Sequence, residues 1–141
     1  MKTATQLREL YSQGQRDFRH WGLEGANLRG VNLAGADLSW SALSGADLST
    51  ANLRGVILRG ADLRRAHLAH ADLADADLIC ADLSGAVLSQ ADLDGADLAY
   101  ANLEGARLDG VTLSESQLRG ASAAWEATTG LPVTTVFSAG D

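Results

Sequence analysis

A leucine stands at every fifth position of this 141-residue chain, without a break from Leu23 to Leu118. Phe18 fills the preceding position of the same register. In an α-helix five residues turn through about 500°, so these side chains would be spread around the whole helix. In a flat strand side chains alternate between two faces, so consecutive leucines would point in opposite directions. Only a chain that turns a corner in every repeat keeps all the leucines in one interior.

The residues around each leucine are suited to a turn in every repeat. The position two before leucine holds alanine in fourteen of the nineteen repeats from Ala26 to Ser116, and valine or serine in the others. The residue directly before leucine is usually Asp or Asn, and glycine is the commonest residue two places after it. Glycine adopts the backbone conformations that tight corners require. We therefore expect leucine and the small residue to point inward and the other three positions outward.

The unit A-D/N-L-x-G, which runs from Arg16 to Gly120, resembles the A(D/N)LXX repeat of the pentapeptide-repeat family. The segment ELYxxGxRDF before the repeats is similar to bacterial, especially cyanobacterial, members. The resemblance implies an all-β solenoid, a right-handed quadrilateral β-helix of about five coils with four pentapeptides per coil. The predicted interior is a ladder that includes Phe18, Leu23, Leu28, Leu33, Leu38, Leu58, Leu78, Leu98 and Leu118.

Two segments outside the repeat domain, residues 16–120, are predicted to close the ends of the stack. Residues 1–15 form an N-terminal cap with a short helix that begins at a capping box of Thr3 and Gln6. The alternative is an amphipathic helix that docks a partner. Residues 121–141 form either a C-terminal cap or a segment that joins two copies into a homodimer. The cap side chains are Leu7, Leu10, Tyr11, Trp125, Val136 and Phe137.

Composition excludes several classes of protein. The single cysteine, Cys80, excludes a disulfide framework, and no apolar stretch is long enough to span a membrane. No secretory leader is evident, so we expect a cytoplasmic protein without membrane contact. The formal net charge of −7 argues against direct binding of nucleic acid.

The sequence predicts no enzyme. A filled rod without inserted loops offers no cleft that would separate the pKa values of two carboxylates, as acid–base catalysis requires. Asp47 is expected to stack beside His67, but no third metal ligand accompanies them. We therefore predict no catalytic residue, no cofactor and no metal site.

Residues twenty apart are expected to lie above one another in a four-sided stack. On this map one side gathers outward-facing apolar residues, and exposed apolar strips mark contact sites. The leading interpretation is a non-enzymatic scaffold that binds another protein, whose identity the sequence does not name. The predicted partner surface consists of Trp40, Ile57, Ile79 and Tyr100.

A second outward set is acidic and lies in the C-terminal half. Residues 1–70 have a net charge of +3 and residues 71–141 a net charge of −10. The set is either a solvated by-product of the Asp in the repeat or the basis of an alternative function. That alternative, implied by resemblance to quinolone-resistance members, is a DNA-mimic inhibitor or protector of DNA gyrase, a type II topoisomerase. The predicted acidic face consists of Asp72, Asp75, Asp77, Asp92, Asp94, Asp97 and Glu115.

Overall fold

The computed structural model describes residues 2–121 of the chain. The predicted C-terminal cap or dimerisation segment, with Trp125, Val136 and Phe137, lies outside the described residues. Within residues 2–121 the elements are a helix, a long stack of pentapeptide repeats and a second helical segment at residues 115–121.

The repeats stack with a period of twenty residues. Parallel β-bridges join residues twenty positions apart, from Asp17–Asp37 to Val87–Arg107, so four pentapeptides complete one coil. Each repeat from Asp17 to Arg107 contributes a single bridge residue, and the sides are therefore too short to count as strands. We number the four sides by their first interior residue, which is Phe18 for the first side and Leu23, Leu28 and Leu33 for the second, third and fourth.

Backbone hydrogen bonds connect each coil to the next. In the repeat around Leu58, the Leu58 N–H donates to the carbonyl of Asp77 at 2.7 Å and the Gly60 N–H donates to the carbonyl of Ile79 at 2.9 Å. The corner itself is closed by a bond of 3.1 Å from the Ala61 N–H to the Leu58 carbonyl. These bonds pair the backbone polar groups of repeats whose sides are too short to form an ordinary sheet.

The interior is filled by leucine and by the small residue two before it. Phe18 and every repeat leucine from Leu23 to Leu103 are at most 2% exposed, and Leu108 is 9% exposed. The alanines at the position two before leucine are likewise buried from Ala36 to Ala101. This burial follows the register that the sequence predicts.

The N-terminal end of the interior is covered by helix α1, Ala4–Ser12. Thr3 and Gln6 form a reciprocal capping box at its start, which satisfies two otherwise unpaired N–H groups. Leu7 is fully buried in the same cluster as the repeat leucines, and Leu10 packs against that cluster. The Tyr11 hydroxyl donates to the carbonyl of Ala34 at 2.7 Å. The helix is therefore bonded to the first coils by both apolar and polar contacts.

The C-terminal end of the stack departs from the sequence prediction. The five-residue pattern continues to Leu118, but the last bridge residue is Arg107 and residues 115–121 are helical. Leu118 lies in this segment and is half-buried, so its assignment to the interior ladder was wrong. The reason is a second capping box, in which the Gln117 N–H donates to the Ser114 Oγ and the Ser114 N–H donates to the Gln117 Oε1.

Gln117 also closes the open end of the interior. Its Nε2 donates to the carbonyls of Leu93 and Ala96, at 2.7 and 3.0 Å, and the side chain is buried. A coil that ends the stack has carbonyls without a following coil to bond them, and an unpaired buried carbonyl is costly. Sequence reasoning missed this residue, although the spacing Ser114-x-x-Gln117 is a recognisable helix start.

Ser41 is a destabilising position of the interior. It is 1% exposed, and its Oγ is the only buried side-chain N or O atom without a hydrogen-bond partner in the part of the chain that the structure describes. Alanine occupies the equivalent position of most repeats. We expect Ser41→Ala to raise the free energy of unfolding by about 1 kcal/mol, because it removes an unsatisfied hydroxyl without leaving a large cavity. Urea unfolding of the two proteins measures the difference, and a destabilised variant would contradict the assignment.

Candidate functional site

The corner between the first and second sides presents two large aromatic side chains to solvent. Trp40 is 57% exposed and Tyr100 is 61% exposed. Both stand two residues after an interior leucine, at the corner where φ is positive in every repeat from His20 to Gly110. Ten of these nineteen corners are glycine, but Trp40 has φ 61° and Tyr100 has φ 58°. A bulky residue in the left-handed region is strained, and such strain is concentrated at functional positions.

The Trp40 indole packs against Gly60, which occupies the same corner in the next coil. A Cβ placed on Gly60 would collide with the six-membered ring of the indole. The same relation holds where Arg65 lies against Gly85, whose Cβ would come 3.3 Å from the Arg65 Cγ. At these two corners a large side chain is thus accommodated by a glycine twenty residues later.

The predicted partner surface occupies one side of the rod. Ile57 precedes Leu58 and Ile79 follows Leu78, so both lie on the first side beside the corner that bears Trp40 and Tyr100. The two isoleucines are half-buried, in contrast to the aromatic residues. Cys80 is exposed in the same corner column, between Gly60 and Tyr100 in height. The apolar part of this surface is therefore dominated by the two aromatic side chains.

Most of the predicted acidic face lies on the fourth and first sides. Asp72, Asp92 and Asp94 are on the fourth side, Asp77 and Asp97 on the first, and Asp75 is at the corner between these two sides. Glu115 does not join them. It belongs to the helical segment 115–121, because the capping box at Ser114 ends the repeat there.

The Asp or Asn before each leucine has a structural role. Its Oδ1 accepts a hydrogen bond from the N–H two residues later in thirteen repeats, as in the bond of 3.0 Å from the Ala99 N–H to Asp97. Asn52 and Asn102 accept the same bond without a charge. The side-chain oxygen is therefore what the repeat requires, and the charge of aspartate is an addition. Asp75 and Asp94 stand outside this motif position.

Arginines in the middle of the rod pair with aspartates of the same or the next coil. Arg59 contacts Asp77 at 2.9 Å, and Arg54 contacts Asp72 at 3.2 Å across one coil spacing. Arg64 makes a two-pronged contact with Asp62, which lies two residues before it. These pairs are solvent-exposed, so each contributes little to stability, and the pairs of Arg54 and Arg59 reduce the negative charge of the acidic face.

Two aspartates, Asp62 and Asp17, are held ionised by neighbouring arginines. The hydrogen bond from the Arg64 guanidinium lowers the pKa of Asp62 below its ordinary value. At the N-terminal end, the bond from Arg19 lowers the pKa of Asp17 to about 2. Both effects come from a charge-assisted hydrogen bond that stabilises the ionised carboxylate. Asp62 and Asp17 therefore remain charged at neutral pH.

The predicted stacking of Asp47 on His67 is present as a bridge pair. Within residues 2–121, however, no group of three or more His, Cys, Asp or Glu residues is arranged to hold a metal ion. The described part of the chain also has no helix that is long and apolar enough to cross a membrane.

The second side has a shallow open groove that sequence reasoning missed. It is bordered by Arg64 and Arg65 and floored by small residues. Arg65 has a positive φ of 57°, so its side chain projects from a corner. The groove has a volume of about 660 Å³ and is open to solvent. The small residues that form its floor are Ser44, Gly45, Ser84 and Gly85.

Comparison with known proteins identifies the repeat. A family model described as pentapeptide repeats matches residues 23–60, 57–95 and 86–122, with 8 copies. The pentapeptide-repeat protein Rfr23 from the cyanobacterium Cyanothece 51142 has a TM-score of 0.72 and 35% identity, covering 79% of this chain and 90% of Rfr23. HetL from Nostoc sp. strain PCC 7120, involved in the regulation of heterocyst differentiation, has a TM-score of 0.56 and 37% identity. The match covers 81% of this chain but spans only half of HetL, 50%. No match is found among curated proteins.

Proposed function

Because the chain belongs to the pentapeptide-repeat family, we propose that it is a non-enzymatic scaffold whose first side binds another protein. Its fold is the right-handed quadrilateral β-helix of that family. The proposal rests chiefly on the exposure of Trp40 and Tyr100 at corners where their backbone is strained. Tryptophan and tyrosine are enriched among the residues that dominate binding energy in protein interfaces.

The geometry supports a protein-binding role better than chemistry on a small molecule. The interior is filled by leucine and alanine from Leu23 to Leu103, and the groove beside Arg64 is open rather than enclosed. Small-molecule sites are concave and bury most of the ligand. A flat side with projecting aromatic residues is instead suited to a protein surface.

The DNA-like alternative has less support in the described residues. Arg54 and Arg59 pair with two of the seven aspartates and glutamates of the predicted acidic face, and Glu115 lies outside the stack. Two of the remaining carboxylates, Asp92 and Asp97, accept a hydrogen bond from the backbone of their own repeat. Asp75 and Asp94 are the members without such a role, and they form only a short acidic stretch.

Affinity capture with matched variants tests the proposal. Trp40→Gly/Tyr100→Gly removes both aromatic rings and relieves backbone strain, so this bait should remain folded. Thr50→Gly/Gln90→Gly is the control, because it relieves the same strain at two corners of the third side, where φ is 60° and 61°. We expect one or more proteins to be retained by the wild type and the control and lost from the aromatic variant. Retention by all three baits would overturn the proposal.

A DNA gyrase assay tests the DNA-like alternative. Addition of the wild type to a DNA gyrase supercoiling assay is expected to leave supercoiling unchanged. Inhibition that is abolished by Asp75→Asn/Asp94→Asn, but not by the aromatic variant, would support the acidic face instead. Both substitutions keep a side chain of similar size while removing its charge.

A further inference from the structure

The exposed aromatic residues share one corner column. Within residues 2–121 Trp40 and Tyr100 are the two large apolar side chains classed as exposed, and both lie at the corner between the first and second sides. They are sixty residues apart, which is three coils, or about 14 Å along the rod. Only Gly60 and Cys80 separate them in this column. The column therefore has a bulky side chain at each end, and the Trp40 indole extends from its end against Gly60.

The rod also has a charge gradient along its axis. Residues 2–70 contain nine basic and six acidic side chains, whereas residues 71–121 contain two basic and ten acidic ones. The change of sign falls in the middle of the column that bears the aromatic residues. Two such rods attract each other when they run in opposite directions, because each basic half then faces an acidic half.

We propose that the protein bound by this side is a second copy of the chain, packed side by side and antiparallel. The inference rests on the proposed function and names its partner. A two-fold axis perpendicular to the rod, at the height midway between Gly60 and Cys80, relates the two copies. Trp40 of each copy then meets Tyr100 of the other, and Gly60 of each meets Cys80 of the other.

The position of the aromatic column excludes the parallel arrangement of the same side. A two-fold axis along the rod would place this corner against the opposite corner of the first side. That opposite corner holds Gly35, Gly55, Asp75 and Gly95, and it offers no aromatic partner. The parallel arrangement would also set the two acidic halves against each other, which like charges oppose.

Charged residues near the proposed axis favour the antiparallel pair. Arg59 and Asp77 lie on the first side, just below and just above the height of the axis. They contact each other within one chain at 2.9 Å and remain partly exposed. The two-fold axis brings Arg59 of one copy to the height of Asp77 of the other, so the two pairs form a four-charge cluster.

The size of the side predicts a weak dimer. About five coils make a face roughly 24 Å long, which places the interface at or below the lower end of the usual range, about 1,200 Å² in total. We therefore expect a dimer that dissociates on dilution, between about 1 µM and about 1 mM.

Sedimentation velocity over that concentration range tests the dimer. We expect concentration-dependent dimerisation that weakens with added salt. Trp40→Gly/Tyr100→Gly should raise the dissociation constant by about 100-fold or more, since each dimer loses both of its aromatic pairs. The control Thr50→Gly/Gln90→Gly should dimerise like the wild type. A wild-type protein that is monomeric at about 1 mM would overturn the inference, as would an aromatic variant that dimerises unchanged.

Cross-linking through Cys80 tests whether the two copies pack antiparallel. In the antiparallel dimer the two Cys80 residues differ in height by one coil, about 5 Å, and face each other across the interface. A short bismaleimide should therefore couple them in the wild type and not in the aromatic variant. An end-to-end dimer through the C-terminal segment would keep two coils of each copy between the thiols, about 19 Å. A dimer whose Cys80 thiols are not coupled would refute the antiparallel arrangement.

The combined results separate the two proposals. If the wild type is monomeric and yet captures a different protein only when Trp40 and Tyr100 are present, the second-copy inference fails and the proposed function stands. If neither dimerisation nor capture depends on these residues, both fail.

Discussion

Gly60→Ala is expected to lower the free energy of unfolding by about 3 kcal/mol. Gly60 has φ 64°, and an L-residue in this region costs about 1–2 kcal/mol. The rest comes from the collision between the new Cβ and the Trp40 indole, since overpacking typically costs about 1–3 kcal/mol. Urea unfolding measured by circular dichroism gives the difference from the wild type.

Gly55→Ala is the matched control for Gly60→Ala. Gly55 has φ 66°, and a Cβ placed on it would meet nothing within 4 Å. This variant should therefore lose only the backbone part, about 1–2 kcal/mol. In a Trp40→Gly background, Gly60→Ala should cost no more than Gly55→Ala does. If the two substitutions lower the free energy of unfolding equally in the wild-type background, the Trp40 indole does not occupy the space that the new Cβ at position 60 would enter.

Leu7→Ala is expected to destabilise the protein by about 3 kcal/mol, comparable to the loss of an interior leucine. Leu7 is fully buried although it lies in α1, outside the repeats. It covers the end of the interior, which would otherwise expose the apolar side chains of the first coil. Hydrogen exchange should show that the amides of the first coil lose protection before those of the coil around Leu58.

Leu10→Ala is the comparison for Leu7→Ala, because Leu10 lies on the same helix and is only half-buried. Its cost should be smaller, about 1 kcal/mol. If both substitutions leave the stability unchanged, α1 is dispensable for folding, and its apolar face is free to bind a partner.

The position of each interior leucine follows from the period of the sequence. A five-residue repeat admits neither a helix nor a sheet with one apolar face, so Leu58 and its equivalents had to point inward in every repeat. The inward position of the alanines follows from the same register. The exposure of Trp40 and Tyr100 also follows, since the corner position two after leucine faces outward.

The acidic face shows that the place of a residue in the repeat does not by itself define its role. Asp97 and Asp92 lie where the repeat predicts them, but their oxygens are engaged by the backbone two residues later. Composition records the charge of these groups and says nothing of the bonds that their oxygens make. The neutral Asn52 and Asn102, which make the same bond, reveal that the oxygen is what the fold needs.

The sequence by itself determined that the chain turns a corner in every repeat with its leucines inside, because its short period forces every repeat to take the same conformation. That four repeats complete a coil was implied by the family resemblance and is shown by the bridges between residues twenty apart. Only the tertiary structure decided where that stack ends and which outward residues touch. The leucine pattern reaches Leu118, yet the local capping box of Ser114 and Gln117 starts a helix there, and the Gln117 side chain bonds the carbonyl of Leu93. Likewise the contact of Trp40 with Gly60 joins residues of different coils, and their closeness arises only when the coils stack.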